Sequence, residues 1–254
     1  MDRERYDRLL DGLKRLKLRR TRQTLEETSQ LAIEQRLSYL EYLATLVEEE
    51  LATRQATQLQ KRLQKARFPA IKRLEDFDFT FQTSVNPQAI MDLARLGFVS
   101  RHENLVFLGP PGVGKSHLAI ALGLKALEGG YRVLFTTAQE LVDNLYASLA
   151  DGTLRNRLKA YLAQDVLIVD EFAYLPMDVT ASNHFYQVVA QAYERRSLIL
   201  TSNRPFQDWG QAFASPAIAS ATLDRLLHHA HVFSLKGQSY RLKREPQGEL
   251  LMVT

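Results

Sequence analysis

GPPGVGKS (109–116) follows the apolar run NLVFL and opens the helical pattern HLAIALGLKAL. It fits G-x-x-x-x-G-K-[ST], a strand-to-helix turn built to hold phosphate. Its glycines let the backbone fold so that successive N–H groups face inward. Those amides and the positive end of the following helix form an anion cradle. Gly109, Pro110, Pro111, Gly112, Val113, Gly114, Lys115, Ser116 and His117 are therefore the expected nucleotide-binding residues. Lys115 should reach the β- and γ-phosphates, and the Ser116 hydroxyl should ligate Mg²⁺.

A phosphate loop alone does not separate kinases from hydrolases. DVLIVDE (165–171) does more, because it is an apolar strand that ends in two acids. Asp170 is placed to hold Mg²⁺, and Glu171 to polarise the attacking water as a general base. Parallel sheets bring ligands to these strand ends. LILTSN (198–203) adds Asn203, whose amide could hydrogen-bond the γ-phosphate and the lytic water.

Outward from these motifs, short apolar strands alternate with helical stretches. Strands are expected at 104–109, 132–137, 165–170, 198–203 and 231–236. Helices are expected at 114–128, 139–149, 154–163, 180–195 and 219–229. Alternation of this kind predicts an α/β fold with helices on both faces of a parallel sheet. Before the first strand, residues 68–103 form a connector in which FDFTF (77–81) is strand-like and Pro87 opens a helix to Leu96.

Residues 1–67 hold one glycine, Gly12, and no proline, and leucines recur at helical spacing. Two or three helices are predicted, with breaks or caps at Thr21–Thr24 and Thr28–Gln30. The first helix is expected to end in LKRLKLRRTR, and Pro69 to stop the last. The domains expected are thus 1–67, small and all-helical, and 68–254.

The formal charge of +4 over 254 residues hides an asymmetry. Residues 1–75 carry 17 basic and 12 acidic side chains, and the remainder 16 and 17. Such a bias points to a polyanionic partner for the N-terminal part or, more plainly, to a solvated helical surface. The chain has no cysteine, which excludes a disulfide framework, a thiolate metal site and a thiol nucleophile. No run approaches the ~18 apolar residues of a membrane span, and the N-terminus has no apolar signal core, so the expected location is cytoplasmic.

GPPGVGKSHLAIALG, DVLIVDEFAYLP, LILTSNRPFQDWG and ATLDRLLHHAHVFSLKGQSYRL together resemble the IstB family of AAA+ ATPases. These proteins are encoded beside the transposase IstA in insertion sequences, and are similar to the helicase loader DnaC and to DnaI and DnaA. The resemblance covers essentially the whole chain. It implies an AAA+ P-loop domain with strand order 5-1-4-3-2, ATP with Mg²⁺ at subunit interfaces, and a homo-oligomer, ring or helical, on double-stranded DNA. It also implies recruitment and stimulation of IstA, with hydrolysis driving disassembly. A trans-acting arginine finger is matched best by Arg225, with Arg195 and Arg196 as competitors. Only 18 residues follow Lys236, too few for a helical lid. Adenine is then expected against the connector, with Phe79 and Phe81 as candidates.

Two regions are candidates for DNA contact: Lys14, Arg15, Arg19, Arg20 and Arg22, and the set Arg155, Arg157 and Lys159. Phosphate contacts by such residues give salt-sensitive, largely sequence-independent binding. HHAH (228–231) offers three histidines without an acid at metal-ligand spacing, so a structural role near the nucleotide pocket is expected. Two other functions share these motifs: a DnaC-like loader of a replicative helicase, and a nucleotide-gated DNA clamp whose hydrolysis is incidental.

Overall fold

Each apolar run is short, is bounded by turn residues, and is separated from the next by a helix-length segment, so the strands pair in parallel. The computed structural model describes residues 2–174 and 176–241. The chain divides into two compact units, residues 1–61 and 62–254, with the division inside helix α3.

The first unit contains α1 (Arg3–Arg15), α2 (Arg19–Glu34) and most of α3 (Tyr39–Ala66). Leu13, Leu25 and Leu46 form its core, joined by Tyr6, Leu10, Leu18 and Tyr42. The threonine clusters expected as breaks lie inside α2. Thr21, Thr24 and Thr28 are three and four residues apart, so they share one buried face. The first two make a polar seam with α3: Thr21 Oγ1 and its amide donate to Glu50 Oε2, and Thr24 Oγ1 donates to Glu49 Oε2. The actual breaks fall beside Lys17 (φ 59°) and Arg36 (φ 53°). LKRLKLRRTR is accordingly split, with Lys14 and Arg15 closing α1 and Arg19, Arg20 and Arg22 opening α2.

In the second unit, FDFTF is a turn rather than a strand. The Asp78 carboxylate accepts from the Thr80 amide, the Thr80 hydroxyl and the Phe81 amide, and this local pairing overrides aromatic strand preference. Helix α4 (Pro87–Leu93) is capped by the Asn86 side chain, which accepts from the Gln88 amide at 2.9 Å. It stops three residues short of the expected Leu96, which takes φ 66° before α5 (Gly97–Ser100).

Strands β1 (Asn104–Leu108), β2 (Val133–Thr137), β3 (Val166–Asp170), β4 (Ser197–Ser202) and β5 (Ala230–Ser234) form one parallel sheet. Its order, β2-β3-β4-β1-β5, is the expected 5-1-4-3-2 read from the other edge. The connecting helices are α6 (Lys115–Glu128), α7 (Ala138–Ala150), α8 (Leu154–Leu162), α9 (Val179–Ala192), α10 (Phe206–Trp209) and α11 (Pro216–Leu227). β1, β3 and β4 are buried along their whole length, as central strands covered on both faces must be. Beneath the loop after β3, Phe172 stacks on Phe185 at 4.8 Å and meets Trp209 edge-on at 4.6 Å. That aromatic block fixes the backbone that carries Glu171. Among the described residues no helix is long and apolar enough to cross a membrane. The expectation that no lid follows concerns residues 242–254 as well, which lie outside the described residues.

The edge strand β5 is tied in by charge. Glu103, just before β1, accepts from Arg101 Nε at 2.7 Å and pairs with His231 Nε2 at 2.9 Å. Arg101, with help from His231 and against burial, holds the Glu103 carboxyl down at about 2. A depressed carboxylate contributes stability that is complete above its unfolded value near 4.5 and is lost as pH falls toward 2. In urea titrations, stability should therefore fall more steeply between pH 5 and pH 3 in the wild type than in Glu103→Gln. The full difference should be about 2 kcal/mol after allowance for solvent screening.

Candidate functional site

The C-terminal edge of the sheet gathers most of the predicted residues. Gly114 (φ 101°) starts α6 with no side-chain cap, so the first amides of the helix are left to an outside acceptor. Gly109 and Gly112 also take positive φ, 146° and 82°. Lys115 is buried, and its Nζ donates to the carbonyls of Gly109 and Pro110, each at 2.8 Å. Burial brings its pKa down to about 8. Asp170 opposes that shift, Arg241 adds to it, and Glu171 opposes it more weakly. Pro110 and Pro111 are exposed at the turn, whereas Val113 is buried and its carbonyl accepts from Gln82 Nε2 at 3.0 Å.

Asp170 is the hub. Its Oδ1 accepts from Ser116 Oγ at 2.8 Å and from Thr201 Oγ1. Thr201 also receives the Glu171 amide at 3.1 Å, and its carbonyl receives the Phe172 amide at 2.8 Å. One threonine on β4 thus clamps the end of β3. The reading of the sequence missed it, although a hydroxyl in LILTSN beside DVLIVDE was the available signal. Glu171 is exposed and sits at φ 58°, an uncommon conformation for glutamate that fits a residue held in place for its chemistry. It borders an open groove with Gln139, Asp143 and Tyr146. Asn203 is exposed, one residue beyond β4 on the same edge of the sheet.

Ser116 and Asp170 place two hard oxygen donors together, a set that suits Mg²⁺, which favours one or two protein oxygens beside substrate phosphates.

Some side chains stand elsewhere than expected. Phe77 is the ring that meets Gly114 of the phosphate loop: a Cβ there would lie 2.6 Å from Phe77 Cε2. Phe79 packs on Phe77 at 4.7 Å, and Phe81 on Tyr240 at 5.2 Å. The His117 ring meets the Arg73 carbonyl at 2.8 Å and Phe77 edge-on, so its side chain is committed to the connector. The HHAH histidines lie near the start of β5, at the sheet edge opposite the phosphate loop. The acid that spacing failed to supply is Glu194, from the turn before β4; its ligand atom and those of His228 and His229 lie within 4.8 Å of one another.

Arg225 stands in the last turn of α11. Its Nη1 donates to the Ala221 carbonyl at 2.8 Å, and its guanidinium lies 5.4 Å from the centre of the Tyr186 ring. Arg196 is committed to main chain, donating to the Leu162 and Arg195 carbonyls, while Arg195 is exposed. In the first unit, Lys14, Arg19 and Arg22 line one open concavity with Lys17. Arg15 is not part of it, and Arg20 is turned to Glu49 at 3.2 Å. On α8 all three candidates are exposed, but Arg155 and Lys159 are one turn apart and Arg157 faces elsewhere.

Residues 11–248 match the family of IstB-like ATP binding proteins. The chain is 42% identical over 239 residues to an insertion sequence IS21 ATP-binding protein of Pseudomonas aeruginosa, covering 94% of this chain and 90% of the relative. It is 43% identical over 209 residues to the corresponding IS5376 protein of Geobacillus stearothermophilus, covering 82% and 83%. Among solved structures, the replication initiator DnaA bound to AMPPCP and single-stranded DNA superposes with a TM-score of 0.56 at 21% identity, covering 69% of this chain and 53% of that one. At that identity the likeness concerns the fold, an AAA+ P-loop domain.

Proposed function

We propose, since the chain belongs to the IstB-like ATP-binding protein family, that it is a Mg²⁺-dependent ATPase that assembles on double-stranded DNA and regulates transposition. The observation that carries the ATPase reading is the junction of Ser116, Asp170, Thr201 and Glu171 beside Lys115 at one sheet edge.

In this reading, the loop amides and Lys115 bind the β- and γ-phosphates of ATP. Ser116 and Asp170 hold Mg²⁺, which when bound neutralises developing phosphate charge. Glu171 accepts a proton from the water that attacks the γ-phosphorus, while the bond from that phosphorus to the bridging oxygen breaks and ADP departs with the electron pair. Thr201 positions Glu171 through its backbone amide. Asn203 orients the water against the γ-phosphate. Arg225 from a neighbouring subunit stabilises charge on the transferred phosphoryl group, which ties hydrolysis to assembly. For that it must leave its own Tyr186.

DNA contact is assigned to the concavity of Lys14, Arg19 and Arg22 and to Arg155 and Lys159, all within the cytoplasm. The partner protein is the transposase IstA encoded by the same element. Two measurements test this reading. Sedimentation with ATP, Mg²⁺ and duplex DNA should show oligomers that disperse as ATP is consumed. Affinity capture should retain IstA and not a replicative helicase; capture of the helicase alone would replace this reading by that of a helicase loader.

A further inference from the structure

The end of the sheet away from the phosphate loop carries a cluster that the ATPase reading does not use. Among the described residues, Glu194, His228 and His229 form a group in which the ligand atoms, one from each side chain, lie within 4.8 Å of one another. All three are exposed, so the group is open to solvent. They come from two segments remote in sequence. Glu194 sits in the turn between α9 and β4, and the two histidines join α11 to β5.

The backbone that presents them is tied down. Glu194 takes φ 55° in a tight turn, where the amides of Arg195 and Arg196 both donate to the Ala192 carbonyl at 2.9 Å. The His228 amide donates to the Asp224 carbonyl at 3.1 Å, which closes α11, and the His229 carbonyl accepts from the Asn104 amide of β1 at 2.7 Å. The side chains are arranged as well. His229 Nε2 stands 3.7 Å from Glu194 Oε1, and the two imidazole rings lie 4.1 Å apart, centre to centre. The Tyr193 hydroxyl is 2.6 Å from His228 Nδ1, a contact that sets the angle and tautomer of that ring. By itself this convergence contributes little. A separation of 3.7 Å is beyond hydrogen-bond length, and two rings this close would repel one another if both were protonated.

Two imidazoles and one carboxylate are the donors of a transition-metal site. Zn²⁺ holds nitrogen and oxygen ligands at about 2.0–2.1 Å in a tetrahedron, which puts them about 3.4 Å from one another. The Nε2–Oε1 pair is already at 3.7 Å, and small side-chain rotations close the rest. Mg²⁺ is no match for this set, because it takes oxygen ligands, whereas imidazole suits zinc. We propose that Glu194, His228 and His229 bind one Zn²⁺ ion, with water as the fourth ligand, and that Tyr193 is a positioning residue for His228. The ion clips the segment before β4 to the segment before β5, across the start of the strand β1 that lies between them.

Isothermal titration of the full chain with ZnCl₂ tests this, without nucleotide and in excess Mg²⁺ to mask the Ser116–Asp170 pair. The wild type should take up one equivalent of Zn²⁺ at micromolar concentrations, and saturation should raise the Tm by several degrees. Tyr193→Phe should weaken uptake about tenfold, as loss of an outer partner does, and Glu194→Gln, His228→Ala and His229→Ala, which each remove a ligand, at least about 100-fold. His231→Ala lies outside the group and should bind as the wild type does. Circular dichroism checks that each variant is folded, and Glu194→Gln keeps the shape of the side chain it replaces. A wild type that takes up no Zn²⁺ would overturn the proposal. Uptake that survives the three ligand substitutions would do so too, as an adventitious ion only, and so would uptake lost with His231→Ala. Unchanged affinity in Tyr193→Phe would remove its positioning role.

Discussion

Glu171→Gln should leave ATP bound and nearly stop its turnover. The amide keeps the length and shape of the carboxylate but cannot accept the proton of the attacking water. A positioned base is worth about 10²- to 10⁴-fold, so steady-state hydrolysis should fall by at least about 100-fold. The ATP dissociation constant should move by less than about threefold, because Glu171 is exposed beside the groove and is not among the residues that cradle phosphate. Stability should hardly change, since glutamine meets the same strain at φ 58°. Oligomers on DNA should then persist instead of dispersing. Hydrolysis at the wild-type rate would assign the base to another residue. Repeated rounds of transposition by this variant would show that the chain acts as a nucleotide-gated clamp.

Lys115→Ala should abolish nucleotide binding at micromolar concentrations, a loss of at least about 100-fold if two charged contacts disappear. Thermal stability should not fall with it. The amine is buried and its pKa is brought down to about 8, so the fold bears a cost for the charge that alanine does not. The same shift sets a pH dependence for the wild type. Triphosphate anions favour the ammonium form, so above pH 8 binding must take up a proton. Raising the pH then opposes binding, by up to about tenfold per unit until the lysine of the complex itself titrates. Isothermal titration between pH 7 and pH 9.5 reads this directly. Flat affinity across that range would show that the lysine does not meet the phosphates.

The central α/β pattern was legible because its signals are local and agree with one another. Each apolar run lay within two residues of an observed strand, and Lys115, Ser116, Asp170 and Glu171 came from two motifs of known spacing. What escaped the sequence depends on contacts between distant residues. Thr21 and Thr24 look like a helix break until Glu50 and Glu49 on α3 accept from their hydroxyls. FDFTF looks like a strand until Asp78 turns its carboxylate onto its own backbone. Thr201 is one hydroxyl in an apolar strand until β4 pairs beside β3. Glu194 meets His228 and His229 only when the segments before β4 and β5 come together, which no spacing rule could foresee.

The position of β1 has a consequence for how the protein comes into being. β1 and the phosphate loop are made first among the strands, yet β1 lies between β4 and β5, whose residues follow some 90 to 130 positions later. Pairings this remote in sequence form slowly, and on a ribosome they cannot form until residues 197–235 have emerged. The loop gains its rear support later still, when the Tyr240 amide donates to the Gly112 carbonyl at 2.9 Å. Until those residues emerge, the chain holds an apolar β1 without its partners and no finished cradle. The cradle that a nucleotide would fill is therefore finished only once residues up to Tyr240 have folded back onto the loop.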